Sequence, residues 1–316
     1  MSTKRIVLAG GSGFLGRLLA GHLQARGWEP VTLTRAPSSQ STVREIAWDA
    51  RTVGDWLGEL DGAAAVINLA GRSVNCRFTP ENRRLVMNSR VEATRAVGAA
   101  IARCTKPPPV WLNCSTVTIY RHTLGAPHDE KSTDFGLTPS VHDEFSVEVA
   151  HAWEQALWDA PTPQTRKVAL RITLVFGTVA GGVFQILRRL ARFGLGGRMG
   201  SGRQFVSWIH EQDFARAVEW ILDHGEVQGP VNLAAPNPLT NADMMRTFRS
   251  VCGIPPGLPA AEWMLELGAV VMRTETELLL KSRRVVPGTL LQGGFQFQFP
   301  AMEGALRELE QRTRRS

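Results

Sequence analysis

The chain has 316 residues, of which 43% are hydrophobic and 21% charged. That size and balance suit one large α/β domain with a smaller lobe, and they are ordinary for a globular enzyme. The net charge of +7 invites a nucleic-acid reading. However, the arginines are interleaved with acids, as in Arg44-Glu45 and Arg307-Glu308. The densest run, Arg188-Arg189 with Arg192, has the spacing of a solvated helix face. A binding stripe would cluster on one surface, so no nucleic-acid partner is expected. Cys76, Cys104, Cys114 and Cys252 form no C-x-x-C pair, which argues against a metal site and against a disulfide framework. The apolar stretch from Ile6 stops at Gly10, too short for a signal peptide. No apolar run approaches the roughly 20 residues of a membrane span. The expectation is a cytoplasmic protein with no membrane partner.

In chain order, Ile6-Val7-Leu8-Ala9 reads as a parallel strand buried on both faces. Phe14, Leu15, Leu18, Leu19 and Leu23 recur at helical spacing, and Gly27 stops that helix. Strands follow at Val31–Thr34, Ile46–Trp48 and Ala64–Leu69. The next helix starts with Thr79 as N-cap and Pro80 in the first turn, and runs to about Cys104. A fifth strand is predicted at Val110–Ser115, a long helix at Asp143–Asp159 and a sixth strand at Val168–Phe176. Strands alternating with helices imply a Rossmann-like, doubly wound parallel sheet. The dinucleotide-binding domain is placed at residues 1–176, with 207–234 returning to it. Residues 177–206 and 235–316 form the substrate-side lobe and a C-terminal module. Within that module Pro255 to Pro259 reads as a hinge before a last helical stretch, and Phe295, Phe297 and Phe299 alternate as in a half-buried strand.

Gly10-Gly11-Ser12-Gly13-Phe14-Leu15-Gly16 lies directly between the first strand and the first helix. The first glycine of the Gly10/Gly13/Gly16 set permits the tight turn. The second lets the backbone approach a pyrophosphate at the positive end of the helix dipole, and the third lets helix and strand pack closely. A carboxylate at the end of the second strand would bind the ribose 2′-hydroxyl of NAD, whereas arginine accommodates the 2′-phosphate of NADP. Here the strand ends Leu33-Thr34-Arg35, with no acid before Glu45. A guanidinium suits a phosphate, so the expected cofactor is NADP.

Further motifs extend over nearly the whole chain. They are Asn68-Leu69-Ala70-Gly71, Asn88-Ser89-Arg90, Trp153-Glu154, Gly194-Leu195-Gly196-Gly197, Gly200-Ser201-Gly202-Arg203-Gln204, Trp208-Ile209-His210 with Asp213, Ser282-Arg283-Arg284-Val285 with Pro287, and Gly294-Phe295. On these the chain resembles the extended short-chain dehydrogenase/reductases, and within them the atypical epimerase-like (YfcH-like) branch with a small C-terminal module. The resemblance implies that Leu69, Ala70, Gly71, Arg90 and Val175 line the cofactor site beside Gly10, Ser12, Gly13, Phe14, Leu15 and Arg35. It implies an unknown small-molecule substrate and admits a homodimer. His210 and Asp213 read as hydrogen-bonding scaffold.

The catalytic equipment departs from the family pattern. Short-chain dehydrogenases use a Tyr-x-x-x-Lys pair on a helix with a Ser or Thr nearby; the phenol exchanges a proton with the substrate oxygen and the ammonium lowers its pKa. The single tyrosine, Tyr120, is followed four residues later by Leu124, so the pair is absent. Aligned on Glu154, Ser146 stands at the tyrosine position and Ala150 at the lysine position, while Thr116 falls where the Ser or Thr belongs. Thr116 and Tyr120 are therefore the catalytic candidates. His142 and His151 lie in the same stretch but read more readily as structural. Val206 stands where sugar-nucleotide members often carry a phosphate-binding arginine, with Arg203 a conceivable substitute. Two functions follow: an NADP(H)-dependent oxidoreductase or epimerase-like enzyme with a non-standard proton donor, or a non-catalytic NADP(H)-binding sensor or scaffold.

Overall fold

The computed structural model describes residues 4–138, 141, 143–254, 257–261, 264 and 280–315. His142 and part of the Pro255–Pro259 segment, with most of the helical stretch expected after it, lie outside the described residues. Seven strands form one sheet: β1 (Lys4–Ala9), β2 (Trp28–Thr34), β3 (Arg44–Ala47), β4 (Ala65–Asn68), β5 (Val110–Thr116), β6 (Arg166–Ile172) and β10 (Gly229–Leu233). Their order is β10-β6-β5-β4-β1-β2-β3, with every neighbouring pair parallel. The Rossmann-like, doubly wound α/β expectation is borne out.

The central strands are largely apolar because both faces of the sheet are covered. Ile6 and Leu8 pack with α1 (Phe14–Ala25) and α6 (Glu211–Asp223). Val7 and Ala9 turn the other way, into a cluster with the apolar face of α3 (Pro80–Ile101) and with Leu157 of α4 (Glu144–Trp158). Each fully buried aliphatic side chain contributes roughly 1.5–3 kcal/mol, so this two-sided burial holds the layers together. At the start of α3 the Thr79 hydroxyl accepts from the Asn82 amide and Pro80 takes the first turn, as the sequence predicts.

Two segments differ from the sequence expectation. The strand expected over Val168–Phe176 is broken at Thr173, whose hydroxyl donates to the Leu233 carbonyl at 2.7 Å. Beyond the break, β7 (Leu174–Phe176) leaves the main sheet and pairs with β9 (Trp208–His210). The Phe295–Phe299 segment is not a strand. Its alternation is real, with Phe295 buried and Gln296 exposed, but its backbone is held by a side chain instead of a sheet. The Asp213 carboxylate accepts from the Gln298 and Phe299 amides at 2.9 and 2.8 Å. His210 caps α6 through Nδ1, which accepts from Gln212, and bonds Glu308 through Nε2 at 2.9 Å. Both residues therefore fasten the C-terminal module, including α9 (Met302–Arg315), to α6.

The lobe is built from β7, α5 (Val183–Arg192), β8 (Phe205–Val206), β11 (Leu239–Thr240), α7 (Asn241–Cys252) and α9. Its core gathers Phe176, Phe184, Trp208, Met245, Phe248 and Leu306.

One buried polar network ties the layers. Arg171 on β6 forms a two-pronged ion pair with Glu154 of α4, both bonds 2.8 Å, and donates to the Tyr120 hydroxyl at 2.8 Å. Glu154 also accepts from the Ser115 hydroxyl at 2.6 Å. Burial opposes the charge on Arg171, but the Glu154 carboxylate more than offsets it and raises the pKa. Removing one partner of such a pair strands the other charge in the interior. Glu154→Ala is expected to lower unfolding free energy by about 3–5 kcal/mol, read as a fall in the urea midpoint. An unchanged midpoint would refute this account of the pair.

Candidate functional site

Strand connections run one way from β1 to β2 and β3 and the other way from β4 to β5, β6 and β10. The switch point thus lies between β1 and β4, where open α/β sheets form a crevice at the strands' carboxyl ends. The loop after β1 is shaped by close approaches. Gly10 has φ +76°, and a Cβ there would lie 2.8 Å from the Ala70 backbone. Its amide donates to the Leu33 carbonyl at 2.9 Å, so the turn touches both flanking strand ends. A Cβ on Gly16 would sit inside the Gly11 backbone. Gly13 is different: a Cβ would meet nothing closer than the Gly10 carbonyl oxygen at 3.9 Å.

Gly13 is the N-cap of α1 and offers no side chain to its first amides. Ser12 and Gly13 are exposed, while Phe14 and Leu15 are half-buried in the first helical turn. The result is an open helix N-terminus aimed at solvent over a side-chain-free cradle, which suits an anion such as a pyrophosphate.

Two cations flank the cradle. Arg35 follows β2 directly and is exposed, and no carboxylate among the described residues pairs with it. The nearest acid in sequence, Glu45, accepts from the Ser38 amide at 2.7 Å and so shapes the loop after Arg35. Arg90 on α3 is half-buried against the Trp153 ring, 5.0 Å from its centroid, and donates to the Val86 carbonyl at 3.0 Å. It too has no carboxylate partner among the described residues, and burial pushes its pKa down. Gly71 lies against it, since a Cβ there would be in van der Waals contact with the guanidinium carbon at 3.4 Å. Beside Arg90 desolvation pushes the pKa of the half-buried Cys114 thiol up to about 12, so it stays protonated.

Leu69 and Ala70 leave β4 with the Leu69 amide on the Ala9 carbonyl at 2.8 Å and the Ala70 amide on Asn68 Oδ1 at 3.1 Å. Asn68 is locked in turn by Asn113 and Thr94. Val175 lies on β7, half-buried. The structure thus brings the glycine loop, Arg35, Leu69–Gly71, Arg90 and Val175 to the carboxyl edge of the sheet.

Thr116 ends β5 on the same edge, half-buried. Its hydroxyl caps the 3-10 turn Val117–Ile119, accepting from the Thr118 amide at 3.2 Å, and lies 3.1 Å from the Thr118 hydroxyl. Tyr120 does not join it. Its ring is buried, stacked on His128 with centroids 5.1 Å apart. Its hydroxyl is held between Arg171 and Asn232, donating to the latter at 3.0 Å, and burial pushes its pKa up. With both roles satisfied inside the protein, this phenol is a structural group; the expectation of a catalytic tyrosine here is corrected. His151 is exposed on α4, edge-on to Phe135.

Ala150 is fully buried with Val117, Ile119, Tyr120 and Val285. A lysine there would force both volume and charge into an apolar cluster. Sequence reasoning missed a second set of groups around Thr118: Arg283, Lys281 and Asp143. The signal was present in Ser282-Arg283-Arg284, read only as a mark of the C-terminal module.

Comparison with known proteins agrees with this arrangement. The model of the NAD dependent epimerase/dehydratase family matches residues 6–234, and that of a domain of unknown function, DUF1731, matches residues 260–309. The chain belongs to the NAD dependent epimerase/dehydratase family. Among its relatives, epimerase family protein SDR39U1 of Bos taurus is 33% identical, over 96% of this chain and 99% of that protein. Epimerase family protein YfhF of Bacillus subtilis is 30% identical, over 96% of this chain and 97% of that protein. The crystal structure of human epimerase family protein SDR39U1 with NADPH superposes with a TM-score of 0.85 at 30% identity, covering 97% of this chain and 99% of that one.

The two inner glycines make opposite predictions. Gly16→Ala forces backbone apart and should cost about 3 kcal/mol in thermal or urea unfolding. Gly13→Val only worsens an N-cap and should cost under about 1 kcal/mol. Equal losses would mean that the space over Gly13 is structural.

Proposed function

We propose that this protein binds NADPH at the β1/β4 switch point and acts as an oxidoreductase or epimerase-like enzyme on a small carbonyl or hydroxyl compound, without a Tyr-x-x-x-Lys pair. The observation that carries the cofactor choice is the exposed Arg35 guanidinium at the end of β2, unpaired with any described carboxylate, beside the open cradle over Gly13. A carboxylate is missing from the position that would select NAD, and a planar cation suits the 2′-phosphate. The family membership and the NADPH in the human relative's structure support the same reading. Arg90, desolvated and with no carboxylate partner among the described residues, is suited to the negative or polar groups of the cofactor's nicotinamide half.

When bound, the dihydronicotinamide supplies a hydride equivalent. The protein's part is to hold and polarise the substrate oxygen. Among the three catalytic positions of the family pattern only Thr116 keeps a suitable group at the cleft edge. Ser146 stands one turn before the buried Ala150 on α4 and brings a hydroxyl in place of a phenol.

A charge-assisted contact to phosphate contributes about 1.5–3 kcal/mol. Arg35→Ala should therefore weaken NADPH roughly tenfold to a hundredfold in a fluorescence titration, with NADH little changed; equal losses for both would sink the assignment. Gly13→Val, still folded, should lose NADPH binding because its side chain occupies the pyrophosphate's place. Thr116→Val should lower turnover about tenfold or more with NADPH affinity held. If wild-type protein binds NADPH yet turns over nothing in a broad carbonyl and sugar panel, the sensor or scaffold function replaces the enzyme.

A further inference from the structure

We infer that the groove between α5 and the C-terminal helix α9 is a second anion site, separate from the cofactor cradle, which takes a diphosphate group on the arginines of α5. It shares no lining residue with the cradle over Gly13 and is independent of the cofactor assigned there.

Between Asp159 and Glu211 the chain carries no acidic residue, and α5 lies in the middle of that stretch. Gln185, Arg188, Arg189 and Arg192 stand at i, i+3, i+4 and i+7, which places them on one helical face. That face lines a groove of about 700 Å³ together with Thr178 and Gly181, from the loop after β7, and Thr313 of α9. The volume lies within the roughly 300–1,000 Å³ of small-ligand sites. Three guanidiniums and no acid line it. Gln185 sets its width: the side-chain amide donates to the Thr178 carbonyl at 3.4 Å and to the Thr313 hydroxyl at 3.3 Å. Phe193, 71% exposed, offers an apolar ring at the same surface.

The charges here do not balance. Buried Glu310 of α9 accepts from Arg188 Nε, from Arg314 at 2.8 Å and from Arg192 at 3.4 Å. Burial opposes its charge, but the bonds from Arg188 and Arg314 more than offset this and lower its pKa, so it stays ionised. One carboxylate thus serves three guanidiniums. Arg189, exposed, makes no hydrogen bond or ion pair among the described residues. Arg189 and Arg192 lie in the last turn of α5, where the helix dipole adds roughly half a negative charge. Four guanidiniums against one carboxylate and that half charge leave roughly two positive charges uncompensated. A diphosphate brings the matching charge, and its oxygens suit the paired N–H groups of a guanidinium.

The test uses full-length protein saturated with NADPH, so that the cradle over Gly13 is filled, and titrates inorganic pyrophosphate and ADP by calorimetry. Saturable binding of one equivalent is expected, weakening as potassium chloride is raised. Arg189→Ala should lower that affinity about tenfold or more, with NADPH affinity and thermal midpoint held. Arg192→Ala, checked for folding in the same way, should show a similar loss and serves as the second variant. Tighter binding of ADP than of pyrophosphate, with the difference lost in Phe193→Ala, identifies an organic diphosphate; equal affinity identifies the free anion, and either supports the site. No saturable binding, or the same affinity in wild type and both arginine variants, overturns it. Preference for an oligoglutamate peptide overturns it in favour of a surface for an acidic segment. Pyrophosphate binding lost in Gly13→Val but kept in Arg189→Ala puts the phosphates over the glycine loop, which defeats the groove and leaves the cofactor site standing. Failure of NADPH itself to bind defeats only the cofactor assignment, since Arg189→Ala still reads the groove.

Discussion

The Arg171 guanidinium is the constraint on which the rest of the site depends. Buried on β6, it fixes Glu154 of α4 with two bonds, the Tyr120 hydroxyl with a third, and through Glu154 the Ser115 hydroxyl beside Thr116. The Tyr120 hydroxyl in turn reaches Asn232 on the edge strand, and Asn232 Nδ2 reaches the Val286 carbonyl of the C-terminal module at 3.0 Å. One charge therefore sets α4, the end of β5, β10 and the module relative to each other. A buried charge of this kind tolerates only the geometry that satisfies it.

The cofactor edge obeys a different logic, that of space kept free. Gly10, Gly11 and Gly16 are glycines because other atoms already occupy the room a side chain would need, whereas Gly13 is bordered by solvent. Arg35 and Arg90 stand at this edge with no carboxylate partner among the described residues, whereas Arg188, for example, is paired with Glu310. The site is recognised as much by what the chain leaves unsatisfied as by what it bonds.

Much of this was legible in the sequence because it is local. The glycine loop, the Thr79 cap and the apolar strands each depend on neighbours within a few residues. The break at Thr173 was not, since it depends on a carbonyl of Leu233 sixty residues away. Nor was the irregular Phe295–Phe299 segment, where period-two burial arises without a strand because Asp213 replaces a sheet partner. Tyr120 looked available as the lone phenol; only its distant partners Arg171 and Asn232 reveal that it is spent. Arg283 lies far along the chain from Thr118, and no spacing rule joins them.

Val285 and Ala150 share one apolar cluster with Val117 and Ile119. The module's backbone enters the space beside the helix position where the wider family keeps its ammonium. The small residue at 150 and the seating of this segment of the module thus belong to a single packing arrangement. A lysine at 150 would overfill this cluster, and a smaller residue at 285 would leave a void in it. Position 150 of α4 and position 285 of the module, far apart in the chain, thus answer to one shared volume, and a larger side chain at either must be matched by a smaller one elsewhere in the cluster.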